Sequence, residues 1–181
     1  GVRVPDTYFC IDGVLLMELV SDEDGNVAPQ LGHVVFSEEQ AIEQYKLMIH
    51  YIKLMLCAGI IHGDLSEFNV LVDNNGPVII DLPQAVNASA NNSAQAMFAR
   101  DVNNIRRYYG EFAPSILKTQ YAKEMWALFE EANLTPNSTL TGEFEDSDEL
   151  ADVDSILDEI QAAEYEEFDR LERIKNADDD E

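Results

Sequence analysis

Residues 61–69 read "IHGDLSEFN", and this stretch decides how the rest of the chain is interpreted. It places one histidine, two acids, one serine and one asparagine in a region whose neighbours are mostly apolar. Burying a charge is costly unless the charge is paired or bound to a metal, so these side chains either cap a turn or carry out chemistry. Asp64 and Asn69 are therefore the first candidates for functional residues.

The segment upstream of this stretch predicts a hairpin followed by a long helix. Asp12-Gly13 separates two apolar runs, which indicates strands at about residues 8–11 and 14–19 joined by a type I′ turn. Ser37 with Gln40 three residues later predicts a capping box at the start of a helix. Apolar residues at helical spacing continue this helix to Ala58, and Gly59 ends it.

The segment downstream predicts a second hairpin that brings two polar residues together. Residues 70–72 and 78–80 are short β-prone runs around "DNNG", and Asp81 follows directly. Because the hairpin folds back, Asn69 and Asp81 are expected side by side, and their oxygens suit a hard cation such as Mg²⁺. Asp64, on the nearby loop, is then free to orient a hydroxyl and accept its proton.

The remainder of the chain predicts helices and an acidic terminus. Residues 94–109 and 114–132 show helical patterns, and residues 152–175 form a last predicted helix. This helix either packs on the domain or docks a basic partner or a part of the protein that is missing from this chain. Residues 143–181 carry 18 acidic and 3 basic residues.

The composition indicates a soluble domain with an acidic surface. The 181 residues are 46% hydrophobic and carry a net charge of −25, which disfavours direct binding to nucleic-acid phosphates. No apolar run is long enough to span a membrane. Cys10 and Cys57 lie in apolar contexts, which indicates buried reduced thiols and a cytoplasmic location.

The combined spacing resembles the catalytic segment of the protein kinase fold, with His-x-Asp-x-x-x-x-Asn at residues 62–69 and a later Asp at position 81. Conventional kinases have Arg before the catalytic Asp and Phe-Gly after the metal-binding Asp, where this chain has Gly63 and "LPQ". "HGDLSEFNVLV" with "IIDLPQAV" resembles the RIO family of atypical serine/threonine protein kinases, the bacterial branch closely, over roughly residues 2–142.

This resemblance implies an α+β, protein-kinase-like fold, mainly an α-helical C-lobe with short β-hairpins and with the N-lobe largely missing. It implies three parts: the last N-lobe hairpin and hinge (1–20), the C-lobe with its catalytic loop and metal-binding Asp (21–142), and an acidic terminal helix and tail (143–181). Because no Gly-rich loop or strand Lys is visible, we expect a fragment that alone binds ATP weakly and transfers phosphate poorly.

The resemblance also implies roles for individual residues. Asp64 corresponds to the catalytic Asp, and Asn69 and Asp81 correspond to the ligands of Mg²⁺ or Mn²⁺. Asp101 corresponds to the helix Asp that holds the catalytic-loop backbone, and His62 to a bracing residue. The implied adenine site consists of Met17 as gatekeeper, the hinge residues Glu18 and Val20, and the apolar floor of Leu71 and Ile80.

The implied activity is phosphoryl transfer from Mg-ATP to a protein hydroxyl, on a protein substrate or on the chain itself. In this family the metal-binding Asp is also linked to a phospho-aspartate and ATPase-like cycling, which would make Asp81 the acceptor. One alternative is a small-molecule kinase of the aminoglycoside or choline type, which also has His-Gly-Asp with an Asn five residues later. Another is an ATP-driven switch with a ribosomal assembly partner.

Overall fold

The computed structural model describes residues 1–21 and 25–144. Residues Gly1–Phe144 form one compact unit. The predicted terminal helix of residues 152–175 lies outside the described residues, and so does the part of the loop at residues 22–24.

Strands β1 (Thr7–Ile11) and β2 (Val14–Met17) form the first antiparallel hairpin. Asp12 and Gly13 have φ angles of 50° and 79°, which is the pair of positive values that a type I′ turn requires. This confirms the predicted hairpin, although β2 ends at Met17 rather than at residue 19. Every residue of both strands is exposed.

Helix α1 (Glu38–Cys57) begins at the predicted capping box. The Gln40 N–H donates to the Ser37 hydroxyl at 3.2 Å, and the Ser37 N–H donates back to the Gln40 side chain at 3.0 Å. Gly59 follows the last turn with φ 73°, a left-handed conformation that only glycine adopts at low cost, and it therefore ends the helix as predicted.

The loop of residues 62–69 connects two small antiparallel sheets. β3 (Ile60–Ile61) pairs with β6 (Val86–Asn87), and β4 (Val70–Asp73) pairs with β5 (Gly76–Ile79). The second pairing confirms the predicted hairpin. Its register places Val70 opposite Ile79, so the residues just outside the strands, Asn69 and Ile80, are neighbours across the ladder.

Helices α2 (Ala94–Phe112) and α3 (Tyr121–Glu130) complete the fold. The prediction of one helix over residues 114–132 was wrong, because Pro114–Lys118 is a 3₁₀ turn and the chain becomes extended at Thr119. The Thr119 carbonyl accepts from Arg106 at 3.1 Å, and the Gln120 N–H donates to Gly142 at 2.8 Å. These long-range partners occupy backbone groups that a continuous helix would need.

The core lies where the three helices meet the polar stretch. Its largest fully buried side chains include Tyr109, Phe98, Leu31, Met48, Leu56, Ile61, Leu65, Ile79, Ile105 and Met125. The expectation of two buried thiols was wrong, since Cys10 lies exposed on β1 and Cys57 is half-buried, and both are free. Within the described residues, no helix has the length and apolar character needed to cross a membrane.

Candidate active site

Side chains of helix α2 bind the backbone of Gly63 and Leu65, the two residues that flank Asp64. The buried Asp101 carboxylate accepts the Gly63 N–H at 2.8 Å and the Leu65 N–H at 2.9 Å. Arg100 donates to the Gly63 carbonyl, and the Asn104 amide donates to the Leu65 carbonyl at 3.1 Å. The predicted role of Asp101 in holding the loop backbone therefore agrees with the geometry.

Two side chains hold the backbone of Asp64 itself. The Asp64 N–H donates to His62 Nδ1 at 3.3 Å, and the Asp64 carbonyl accepts from the Asn69 amide at 2.8 Å. His62 is buried, and its Nε2–H donates to the Ile80 carbonyl at 2.8 Å, which places the ring's hydrogen on Nε2. His62 therefore braces the loop against the residue before Asp81, as predicted, while the Asp64 side chain remains exposed.

Asp101 is a buried acid with an unusual proton affinity. Burial raises the pKa of this carboxyl group from 3.8 to about 6, although hydrogen bonds from the Leu65 and Gly63 N–H groups and the nearby His62 and Arg100 oppose the shift. The desolvation cost is therefore larger than the stabilisation by these partners.

Asp81 stands in a left-handed conformation directly after the second hairpin. Its φ and ψ are 63° and 47°, and it precedes the 3₁₀ turn Leu82–Gln84. The Ile80 N–H donates to the Asn69 carbonyl at 3.0 Å, so Asn69 and Asp81 lie at the same end of the ladder. The Asp81 side chain is exposed. The structure thus brings the two predicted metal ligands to one edge of the hairpin.

The Asn69 side chain uses its amide nitrogen within the loop, so its amide oxygen is the atom that would bind a cation. Its Nδ2 donates to the Asp64 carbonyl and, at 3.3 Å, to the Asp64 carboxylate. The amide oxygen and the exposed Asp81 carboxylate are the ligand types that Mg²⁺ prefers. Among residues 1–21 and 25–144 no group of three or more His, Cys, Asp or Glu side chains could hold a metal, so these two residues would leave the other positions to water and phosphate oxygens.

A side chain at Gly63 would be crowded and its backbone strained. Its φ is 85°, and a Cβ atom would lie 2.9 Å from the Met97 methyl group and 3.1 Å from the Gln84 carbonyl oxygen. Gly63 and the turn Leu82–Gln84 are the two places where the sequence departs from conventional kinases. The structure shows that these two departures contact each other.

Two of the backbone polar groups of the predicted hinge are hydrogen-bonded within the chain. The Glu18 N–H donates to the Asp6 carbonyl at 2.8 Å, and the Val20 carbonyl accepts the Ala28 N–H at 3.0 Å. The Glu18 carbonyl and the Val20 N–H have no hydrogen-bond partner within the described part of the chain.

The structure brings together only part of the predicted adenine site. Val20, Ala28 and Val78 form a small buried cluster against which the half-buried Leu71 packs. Met17 is exposed on β2 and is outside this cluster, and Ile80 contributes backbone hydrogen bonds to the loop. Val20 and Leu71 are therefore the predicted adenine contacts that the fold places in one apolar surface.

Sequence reasoning missed several residues that shape the site. Arg100 and Asn104 bind the loop from the same helix as Asp101. The spacing of three residues between Asp101 and Asn104 was an available signal, whereas Arg100 had none. Gln30 donates to the Phe68 carbonyl at 3.1 Å, and Arg3 forms a bidentate ion pair with Asp73 at 2.8 and 2.6 Å. The last two contacts join residues about 40 and 70 positions apart, and no local pattern marks them.

Comparison with known proteins identifies relatives of similar sequence. The chain is 36% identical over 109 residues to the RIO-type serine/threonine-protein kinase Rio1 of Haloferax volcanii, which covers 60% of this chain and 36% of that protein. It is 42% identical over 77 residues to the corresponding Rio2 of Methanocaldococcus jannaschii, covering 42% of this chain and 28% of that protein.

A solved structure shares the fold. The crystal structure of a Rio2 kinase–ADP/Mg²⁺–phosphoaspartate complex from Chaetomium thermophilum matches with a TM-score of 0.52 and 29% identity, covering 61% of this chain and 34% of that one. The predicted α+β, kinase-like fold is thereby confirmed. The chain spans about a third of the length of the relatives it matches.

The family model described as the RIO domain matches residues 1–123, which is most of the chain. The matched residues include the predicted hinge, α1, the loop of residues 61–69, the second hairpin and α2. The chain therefore belongs to the RIO domain family, whose relatives named above are serine/threonine-protein kinases.

Proposed function

We propose that this chain carries the catalytic loop and metal-binding segment of an ATP-dependent protein serine/threonine kinase of the RIO type. The observation that supports this most is the hydrogen bonding of Asp64. Its backbone N–H and carbonyl are both hydrogen-bonded, while its carboxylate is exposed beside Asn69. A fixed backbone with an exposed carboxylate is the arrangement needed to orient an acceptor hydroxyl.

In this proposal Asp64 is the residue that handles the proton. One carboxylate oxygen is held by the Asn69 amide, and the other is free to accept a hydrogen bond from the acceptor hydroxyl. The acceptor oxygen forms a bond to the γ-phosphorus, the bond from that phosphorus to the β–γ bridging oxygen breaks, the proton passes to Asp64, and ADP leaves. Catalysis is then mostly positioning and charge stabilisation.

Asn69 and Asp81 would hold the divalent cation, Mg²⁺ or Mn²⁺. When bound, the cation supplies positive charge that offsets the charge developing on the β- and γ-phosphate oxygens. The hinge would bind adenine through the Glu18 carbonyl and the Val20 N–H. Leu71, packed against Val20, would form the apolar floor together with Ile80, and Met17 would be the gatekeeper.

A second proposal concerns Asp81. The related Rio2 structure is described as an ADP/Mg²⁺–phosphoaspartate complex, which favours an ATPase-like cycle in this family. In that cycle a carboxylate oxygen of Asp81 would form the new bond to the γ-phosphorus, releasing ADP, and water would later hydrolyse the acyl phosphate. Such a cycle suits an assembly switch, with a ribosomal subunit as the proposed partner.

The proposal is tested by three substitutions in the full-length protein. Asp64→Asn and Asp81→Asn should each lower phosphoryl transfer from ATP by about a hundredfold or more, since each removes a charged group from the reacting centre. Asp12→Asn is the matched control, because Asp12 is also exposed and also has a positive φ, which Asn tolerates. This control should retain full activity.

The acceptor is identified in the same assays. Label on protein serine or threonine supports the kinase, label on aminoglycosides or choline supports a small-molecule kinase, and label on the protein released by hydroxylamine supports phospho-aspartate. Equal rates for Asp64→Asn, Asp81→Asn and the Asp12→Asn control would refute the proposed site.

A further inference from the structure

The loop around Asp64 is held more completely than the family resemblance implies. All six backbone N–H and carbonyl groups of residues 63–65 are hydrogen-bonded to side chains. Asp101 accounts for two of them. The two carbonyls that flank Asp64 belong to Gly63 and Leu65, and they are bound by Arg100 and Asn104, for which no role was expected.

The three α2 residues form one unit, which we call the α2 clamp: Arg100, Asp101 and Asn104. Asn104 lies four residues after Arg100 and three after Asp101, so its side chain neighbours both of theirs on the helix surface. Val102 and Ile105, on the same stretch of α2, are fully buried in the core. The clamp therefore projects from a helix whose position is fixed by packing.

The clamp anchors both neighbours of Asp64. Gly63 is held at its N–H by Asp101 and at its carbonyl by Arg100. Leu65 is held at its N–H by Asp101 and at its carbonyl by Asn104, and its side chain is buried in the core. Because the peptide planes on both sides of Gly63 and of Leu65 are fixed, the direction in which the Asp64 side chain projects from the loop is fixed too.

We propose that Arg100 and Asn104 are positioning residues that set the orientation of Asp64 through the carbonyls of Gly63 and Leu65. This inference rests on the proposed function for its effect on turnover. Neither residue touches substrate or cation in this proposal. Their effect should therefore fall on the chemical step and not on nucleotide binding.

The adjacent residue Asn103 provides a matched control. It is the same residue type on the same helix turn, it is also half-buried, and it makes no hydrogen bond to the loop within the described residues. Asn104→Ala and Asn103→Ala change helix propensity equally, since both replace Asn with Ala. They differ in that only Asn104→Ala removes the bond to the Leu65 carbonyl.

The experiment compares these two variants in the full-length protein by steady-state kinetics and by amide hydrogen exchange. Loss of one hydrogen bond to a buried carbonyl corresponds to about tenfold in rate. We expect Asn104→Ala to lower kcat by about tenfold with the KM for ATP unchanged, and Asn103→Ala to behave as wild type. Exchange of the amides of residues 63–69 should be about tenfold faster in Asn104→Ala than in Asn103→Ala.

The outcomes of this experiment test the inference about Asn104 separately from the proposed function. Equal kcat and equal loop exchange in the two variants would overturn the inference. A fall in kcat that only follows the loss of folded protein, with faster exchange throughout the chain, would also overturn it and leave a structural role. If the wild type transfers no phosphate to any acceptor, the proposed function fails, and loop exchange alone decides whether Asn104 positions Asp64.

Discussion

In the loop of residues 61–69 the backbone around Asp64 is hydrogen-bonded at every polar group, whereas in the hairpin of residues 7–17 both strands are exposed along their whole length. The loop takes its partners from α2, from the second hairpin and from its own side chains. The apolar side chains of the first hairpin, among them Tyr8, Phe9, Ile11 and Val14, contact solvent.

This difference shows that the described residues fix the geometry of the loop around Asp64 but not that of the first hairpin. The hydrogen bonds of the backbone around Asp64 and of the Asn69 side chain come from α2, from His62 and from within the loop, and within the described residues none of them involves the first hairpin. The predicted gatekeeper Met17 lies on the exposed hairpin, and the rest of the implied adenine site is only partly assembled. The four predictions below test this contrast.

The largest expected effect compares the same substitution in the two regions. Leu65, at 1% exposure, should lose about 3 kcal/mol of unfolding free energy on change to Ala, because a buried cavity forms beneath the loop. Leu16, at 46% exposure on β2, should lose less than about 1 kcal/mol for the same change. Urea unfolding of both variants measures the contrast, and similar losses would show that the hairpin is buried as deeply as the loop.

The second prediction compares two glycines with similar left-handed backbones. Gly63→Ala should cost about 2–3 kcal/mol, because the new methyl group meets the Gln84 carbonyl and Met97 in addition to the backbone strain. Gly13→Ala should cost only about 1 kcal/mol, since a Cβ there has nothing within 4 Å. Thermal or urea unfolding checks both. Equal costs would mean that the Leu82–Gln84 turn moves away freely.

The third prediction uses the raised pKa of Asp101. Because its folded pKa is about 6 and its ordinary value is 3.8, the folded chain takes up a proton as the pH falls through 6, while the unfolded chain stays ionised until near 3.8. Proton uptake by the folded state alone stabilises it, so this contribution grows as the pH falls and is absent above the folded pKa.

Replacing Asp101 with Asn removes this titration. The unfolding free energy of wild type should therefore rise relative to Asp101→Asn by about 2 kcal/mol between about pH 7 and about pH 4.5. Denaturant titrations across this range provide the measurement. A difference that is independent of pH would show that the Asp101 carboxyl group is not desolvated in the folded chain.

The smallest expected effect concerns a contact between the N-terminal segment and the second hairpin. Arg3 forms a bidentate ion pair with Asp73, and the pKa of Asp73 is lowered chiefly by this hydrogen-bonded partner. Arg3→Ala should cost about 1 kcal/mol at low ionic strength and less at high salt, because the pair is partly exposed. A salt-independent loss would indicate that Arg3 acts mainly by packing.

The parts of the fold that were predictable depend on short-range chemistry. The turn at Asp12-Gly13 and the capping box of Ser37 and Gln40 each need only residues within a few positions of one another, and both were predicted correctly. The expectation that Asn69 and Asp81 lie side by side followed from the short hairpin between them. In the structure they lie at the same end of this hairpin, where the direct backbone partner of Asn69 is Ile80.

The errors and omissions depend on long-range contacts. Whether residues 114–132 continue as one helix is decided by Arg106 and Gly142, which bind the backbone at Thr119 and Gln120. The exposure of Cys10 depends on what covers β1, and an apolar context alone does not reveal it. Asn104 looks like any polar helix residue until the fold brings it to the Leu65 carbonyl.

The contact between Gly63 and the Gln84 carbonyl has an evolutionary consequence. A side chain at position 63 would crowd the Gln84 carbonyl, so a larger residue there favours another path for the turn that follows Asp81. Position 63 and positions 82–84 should therefore vary together across the RIO domain family, with glycine wherever the turn closes over it. The two sequence differences that separate this chain from conventional kinases, at position 63 and at positions 82–84, are then parts of one structural feature.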